Sequence, residues 1–180
     1  MALNIVIYGC DNSGKTTLCQ NLLGYFDKAG IKSSYIKSLG PARMAKQVNF
    51  MHENLREVYP KNFIKLYDRF PIIEEEVCGP ILRDWDNFKS FGSYGTSILN
   101  SITLFIHCDP GIESIQQWGE RDQMFGIKEN AERLAEAYAA YSIIHGIEGR
   151  TIHYDWTKDS WTDIAQTIVE LANVVSKGEN

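Results

Sequence analysis

The sequence Gly9-Cys10-Asp11-Asn12-Ser13-Gly14-Lys15-Thr16 satisfies the pattern G-x-x-x-x-G-K-[ST], and no other stretch says as much about the architecture of the chain. In this pattern the glycines allow backbone N–H groups to wrap around a phosphate, and the lysine reaches the β and γ oxygens of a triphosphate. The hydroxyl after the lysine can bind Mg²⁺ at a helix N-terminus, which favours anions. We therefore predict a nucleoside triphosphate site formed by Gly9, Asn12, Ser13, Gly14, Lys15, Thr16 and Thr17.

The residues on either side of this loop supply the structural context that the pattern requires. Ile5-Val6-Ile7-Tyr8 is an apolar, mostly β-branched run that ends at Gly9, as expected of a strand buried on both faces of a parallel sheet. After Lys15, apolar residues recur at helical spacing until Gly30, which is a typical C-terminal stop. The order strand, glycine-rich loop and helix is the one in which this pattern binds phosphate.

Strand and helix patterns alternate along the rest of the chain. Further strands are predicted at 33–37, 63–67, 102–108 and 151–154, and helices at 42–58, 72–82, 112–118, 131–141 and 164–172. The aromatic-rich segment 84–94 fits no regular pattern. This alternation predicts an α/β fold of three layers, in which a parallel sheet of about five strands carries helices on both faces.

Length and composition restrict the class of protein. The 180 residues fit one domain over 1–180, with 44% hydrophobic and 23% charged residues. A net charge of −5 argues against a protein that binds nucleic acid by covering its backbone with positive charge. The four cysteines are scattered without a CxxC pair, and no signal peptide or run of about 18 apolar residues is present. We therefore expect a soluble cytoplasmic protein without disulfides, zinc or a membrane segment.

Polar residues close several of the predicted strands, where parallel sheets bind their ligands. Asp68 follows the third strand and is expected to lie near the phosphate-binding loop. It could hold Mg²⁺ through water, accept the proton of an attacking hydroxyl, or cap the following helix. A phosphate acceptor is already anionic and needs no base, whereas a hydroxyl acceptor benefits from one.

The loop alone does not identify the phosphate acceptor. The chain contains no NKxD-type guanine motif and is too short for a motor or a large ATPase. A nucleotide pocket, an acceptor pocket and a lid would fill it. These features favour a small-molecule kinase with ATP as donor.

Three stretches resemble the thymidylate kinase-like family of P-loop nucleoside and nucleoside monophosphate kinases, especially its short bacteriophage-type members. The first is the loop, with an aspartate two residues after its first glycine. The second resembles the DR motif of the family and comprises Tyr67-Asp68-Arg69-Phe70-Pro71, Glu75, Val77, Gly79-Pro80 and Leu82-Arg83. The third resembles the lid, at 119–128, and the helix after it, and comprises Arg121-Asp122-Gln123-Met124, Gly126 and 130–138. The resemblance implies a P-loop kinase fold, ATP and Mg²⁺ as cofactors, a homodimer, and the host cytoplasm if the protein is encoded by a phage.

The resemblance also implies roles for single residues. Phosphoryl transfer requires positive charge around the transferred group beyond Mg²⁺ and the loop lysine, which agrees with these roles. The implied catalytic residues are Lys15, Asp68, Arg69 and Arg121. The implied metal-binding residues are Thr16 and Asp68, and Trp156 would lie near adenine. The implied acceptor-binding residues are Asp11, Arg43, Arg69 and Glu75.

Plainer roles remain open for these residues at the level of sequence. Arg69 could form a salt bridge with Glu74 or Glu75. Asp11 could bind the 3′-hydroxyl of a deoxyribose, orient the arginine, or form an Asx turn. Glu75 could belong to a solvated helix face, Trp156 could pack in the core, and the lid could be a surface turn.

We expect an ATP- and Mg²⁺-dependent kinase that phosphorylates a deoxynucleoside monophosphate, with thymidylate or another pyrimidine nucleotide as its substrate. One alternative is a P-loop kinase that phosphorylates a hydroxyl on nucleic acid, either a 5-hydroxymethyl-pyrimidine in phage DNA or a polynucleotide end. Only this alternative has nucleic acid as a partner. A second alternative is a nucleotide-binding protein without turnover.

Overall fold

The computed structural model describes residues 2–38, 59–60, 63–83, 103–117 and 126–177. Its strands are β1 (Leu3–Tyr8), β2 (Ser33–Lys37), β3 (Ile64–Asp68), β4 (Thr103–Cys108) and β5 (Thr151–Tyr154). Its helices are α1 (Lys15–Lys28), α2 (Pro71–Leu82), α3 (Ile112–Ile115), α4 (Ala131–Ile144) and α5 (Trp161–Lys177), and a 3₁₀ helix spans Glu148–Arg150. No helix among these residues is both long and apolar enough to cross a membrane.

The five strands form one parallel sheet in the order β2-β3-β1-β4-β5, which confirms the predicted sheet. β1 lies at its centre, and every residue of β1, β3 and β4 is buried. The register pairs Ile7 of β1 with Asp68 of β3. The loop after β1 and the residues that close β3 therefore meet at one edge of the sheet, where α/β folds bind ligands.

Helices cover both faces of the sheet, as the alternation of patterns predicts. Ile5 and Ile7 of β1 belong to the core on the side of α1 and α5, together with Leu18, Leu22, Phe26 and Ile168. Val6 and Tyr8 belong to the core on the opposite side, together with Ile73, Val77, Leu134 and Tyr138 of α2 and α4. Because side chains alternate along a strand, one apolar run in β1 contributes to both cores.

Some predicted elements differ from the observed ones or lie outside the described residues. The helix predicted at 112–118 ends at Ile115. The carbonyl oxygens of Ile115 and Gln117 accept hydrogen bonds from the Asn12 amide, at 3.3 and 3.0 Å. The predicted helix at 42–58, the segment 84–94 and lid residues 119–125 lie outside the described residues.

Candidate active site

The phosphate-binding loop depends on glycine at both ends of its pattern. Gly9 has a φ of 139°, and a Cβ there would lie 2.4 Å from the carbonyl oxygen of Cys108. Gly14 has a φ of 86° and caps the N-terminus of α1, where a Cβ would lie 2.8 Å from Cδ1 of Trp156. Positive φ values of this kind strain residues that carry a Cβ. In this chain, steric contacts and backbone conformation therefore explain why glycine occupies these two positions of the pattern.

Lys15 lies in the first turn of α1 and directs its ammonium group back into the loop. Its Nζ donates to the carbonyl oxygens of Gly9, at 2.8 Å, and Cys10. Burial lowers the pKa of Lys15 and the positive charge of Arg69 lowers it further, whereas Glu74 raises it. Phosphate oxygens carry more negative charge than carbonyl oxygens, so a phosphate in the loop would stabilise this ammonium group further.

Thr16 and Asp68 form the second part of the site. The Thr16 hydroxyl donates to Oδ2 of Asp68 at 2.9 Å, and the hydroxyl of Tyr35 donates to the same oxygen at 2.7 Å. Asp68 is fully buried, and its Oδ1 has no hydrogen-bond partner among the described residues. Mg²⁺ and its bound water bind hydroxyl and carboxylate oxygens, so this donor set fits the predicted metal-binding pair.

Tyr35 is a residue of this site that the sequence motifs do not contain. Partial burial and the hydrogen bond to Asp68 raise the pKa of its phenol, which strengthens the preference for the protonated, hydrogen-bond-donating form. Nothing in the local sequence of β2 indicates this contact, because it depends on the register between β2 and β3.

Arg69 follows β3 directly and lies between two carboxylates. Its Nη1 contacts Oε2 of Glu74 at 2.8 Å, and its Nη2 contacts Oδ1 of Asp11. Burial lowers the pKa of Arg69, but Glu74 and then Asp11 raise it by more, so the net shift is upward. The salt bridge to Glu74 and the orientation of Arg69 by Asp11 are two of the contacts that the sequence left open, and both are present.

Glu75 is buried and is paired with Arg83, whose Nη2 lies 2.8 Å from Oε2 of Glu75. The alternative of a solvated helix face is therefore wrong for this residue. Glu74, which the sequence suggested only as a salt-bridge partner, is the acidic residue of α2 that reaches Arg69. A contact of Glu75 with a substrate stays a prediction.

A cavity of about 540 Å³ lies beside the loop. Lys15, Thr16 and Thr17 line it together with Asp11 and Arg69. Residues that the sequence assigns to the triphosphate and residues that it assigns to the acceptor therefore lie around one space.

Trp156 lines the same cavity and remains 46% exposed. The alternative that it packs in the core is therefore wrong. Its indole lies beside Gly14, at the start of α1. This position leaves part of an aromatic surface accessible next to the loop.

The remaining predicted residues divide into two groups. Ser13 is buried within the loop and Asn12 binds the end of α3. Arg43 and Arg121 lie outside the described residues, so their roles stay predictions.

Neither a family model nor a curated protein matches the chain. Its fold is similar to that of the YorR protein from Bacillus subtilis in complex with phosphorylated GDP, with 16% identity, a TM-score of 0.63, and coverage of 95% of this chain and 96% of that one. The thymidylate kinase from Candida albicans has 11% identity and a TM-score of 0.62, with 99% of this chain and 94% of that one covered.

A deoxyadenosine kinase from M. mycoides with the products dCMP and dCDP bound is also similar, with 14% identity and a TM-score of 0.54. The match covers 96% of this chain and 100% of that one. At these identities the likeness concerns the fold. The chain has the α/β fold that these proteins share, two of which are kinases, and this confirms the predicted fold class and the resemblance at that level.

Proposed function

We propose that this chain is an ATP- and Mg²⁺-dependent kinase that phosphorylates a deoxynucleoside monophosphate, with thymidylate or another pyrimidine nucleotide as acceptor. The reaction transfers the γ-phosphoryl group of ATP to a phosphate oxygen of the acceptor and yields ADP and a nucleoside diphosphate. The observation that carries the proposal is the cavity that joins Lys15 and Thr16 to Asp11 and Arg69. The shared fold of the similar kinases supports it.

The donor half of the proposal rests on the phosphate-binding loop. The loop N–H groups and Lys15 would bind the β- and γ-phosphates, and Trp156 would pack against adenine with its exposed surface. Thr16 and Asp68 would hold Mg²⁺, which neutralises charge on the phosphates when it is bound. The unpartnered Oδ1 of Asp68 supports this assignment.

The acceptor half rests on Arg69 and Asp11, with Arg43 and Glu75 as further proposed contacts. The lid arginine Arg121 belongs to the donor half, where it would contact the triphosphate. The planar guanidinium of Arg69 suits a phosphate, and Asp11 could accept a hydrogen bond from the deoxyribose 3′-hydroxyl. The same family resemblance supports a homodimer in the cytoplasm.

The surroundings of Asp68 favour a phosphate over a hydroxyl as the acceptor. Its Oδ2 accepts hydrogen bonds from Thr16 and Tyr35 and its Oδ1 is buried beside the proposed metal ligand Thr16, so we assign Asp68 to metal binding rather than to proton abstraction. A hydroxyl acceptor would benefit from such a base, whereas a phosphate acceptor needs none.

The test is to incubate the purified protein with labelled ATP, Mg²⁺ and each deoxynucleoside monophosphate in turn. We expect a labelled diphosphate from a pyrimidine nucleotide, and a loss of at least about 100-fold in rate for Lys15→Met, because the lysine charge stabilises the transferred group. The Lys158→Met variant is the control, since Lys158 is an exposed residue paired with Asp155.

Two results would contradict this proposal. Label transferred to 5-hydroxymethyl-pyrimidine DNA or to polynucleotide ends, with none in free nucleotides, would favour the nucleic-acid alternative. ATP binding without transfer to any acceptor would favour a protein without turnover.

A further inference from the structure

Tyr35 lies on β2, at the edge of the described sheet, and belongs to none of the sequence motifs. The parallel register pairs Lys37 with Asp68 and Tyr35 with Leu66, two residues earlier. Side chains two residues apart on a strand share one face of the sheet, so Tyr35 lies on the same face as Asp68. Its phenol is long enough to bridge this offset, and its hydroxyl lies 2.7 Å from Oδ2 of Asp68.

The two donors on Oδ2 fix the orientation of the Asp68 carboxylate. Thr16 approaches this oxygen from the start of α1 and Tyr35 approaches it from β2. The other oxygen, Oδ1, is buried and has no hydrogen-bond partner among the described residues. A buried carboxylate oxygen is unfavourable without a partner, which indicates that Oδ1 is kept for a ligand.

We propose that Tyr35 is a positioning residue for the metal site, which holds Oδ2 of Asp68 so that Oδ1 is presented to Mg²⁺ or to its bound water. This inference rests on the donor half of the proposed function and is independent of the acceptor. Removal of the phenol hydroxyl leaves Asp68 with Thr16 alone, whose hydroxyl is itself a proposed metal ligand. Among the described residues, the carboxylate then keeps no hydrogen-bond donor that lies outside the proposed metal site.

Hydrogen-bond partners of metal ligands typically change metal affinity by 10- to 100-fold when they are removed. We therefore expect Tyr35→Phe to weaken metal binding by about 10-fold or more. The ring remains in this variant, and Tyr35 is 39% exposed on an edge strand, so its folding is expected to tolerate the change. Tyr25→Phe is the matched control, because the Tyr25 ring packs against Phe26 and Trp161 of the helical layer.

The experiment titrates Mn²⁺ into the protein with a non-hydrolysable ATP analogue bound and follows free Mn²⁺ by electron paramagnetic resonance. Mg²⁺ competition then gives the Mg²⁺ affinity. Affinity for the analogue in EDTA is measured in parallel and is expected to be unchanged in Tyr35→Phe. A general distortion of the loop would weaken that affinity as well, which would contradict a role confined to the metal.

Metal affinity in Tyr35→Phe within twofold of the wild type would overturn the inference. The same substitution in an Asp68→Asn background is expected to cause no further loss, because Tyr35 acts through Asp68. A second loss of similar size would overturn it too.

A wild type without nucleotide-dependent Mn²⁺ binding would overturn both this inference and the donor half of the proposed function. If Tyr35→Phe weakens metal binding as expected but the protein phosphorylates no monophosphate, the inference is supported and only the proposed acceptor is contradicted.

Discussion

Gly9 shows how a single residue fixes the geometry of the site. The chain leaves β1 there with a φ of 139°, directly beside the carbonyl oxygen of Cys108 in β4. A methyl group at this position would meet backbone rather than a mobile side chain, so the strand end would have to shift. The position of the phosphate-binding loop therefore depends on the absence of one Cβ.

We predict that Gly9→Ala lowers the free energy of unfolding by about 3 kcal/mol, because it combines a strained φ with a backbone clash. Gly30→Ala is the control. Gly30 also has a positive φ, of 69°, but its Cβ would meet no atom within 4 Å, so we expect a loss of about 1 kcal/mol. Urea denaturation of both variants measures the difference, and equal losses would show that the contact with Cys108 has no energetic effect.

Residues in local patterns could be predicted from the sequence, whereas those that depend on tertiary geometry could not. The spacing of the loop identified the loop residues that line the cavity, and the position of Asp68 at a strand end identified the carboxylate that binds Thr16. Tyr35 reaches Asp68 only through the register of β2 and β3. Arg69 adopts a φ of 69°, which no sequence pattern predicts and which contributes to its position between Asp11 and Glu74.

At the scale of elements, α5 illustrates how apolar spacing determines packing. Ile164, Ala165, Ile168 and Ala172 are buried against the sheet and α1. Leu171 lies on the same helix but is 37% exposed. The spacing predicted this helix because the buried residues recur with the helical period. The contact at the end of α3 could not be predicted in this way, because its donor is the Asn12 side chain of a loop that is distant in sequence.

We predict that Ile168→Ala lowers the free energy of unfolding by about 3 kcal/mol, since Ile168 is fully buried and its loss leaves a cavity. Leu171→Ala removes a similar side chain from a more exposed position, so we expect a loss below about 1 kcal/mol. Thermal and urea unfolding provide the comparison. If both substitutions had the same effect, α5 would not be held by the burial of this face.

At the scale of the whole molecule, the sheet buries a titratable group that has no proposed role in the candidate site. His107 of β4 is 2% exposed, stacks on Tyr8 with 5.0 Å between ring centroids, and places its Nδ1 3.4 Å from Nδ1 of His153. Burial lowers the pKa of His107 to about 4, from an ordinary value of 6.5, and the negative charge of Asp109 only partly opposes this shift. At pH values between these two pKa values, the His107 imidazole is therefore neutral in the folded protein and protonated in the unfolded chain.

This difference predicts how stability depends on pH. Between pH 6.5 and about 4 the unfolded state binds a proton at His107 that the folded state does not, so the free energy of unfolding falls as the pH falls. The full effect corresponds to about 3 kcal/mol, at about 1.4 kcal/mol for each unit of pKa. His107→Gln removes the titrating group, so the free energy of unfolding of this variant should change less with pH over this interval.

His145→Gln is the control, because it leaves His107 in place and should retain the pH dependence. Urea denaturation at half-unit steps of pH measures both variants, and parallel profiles for wild type and His107→Gln would show that another group controls acid stability.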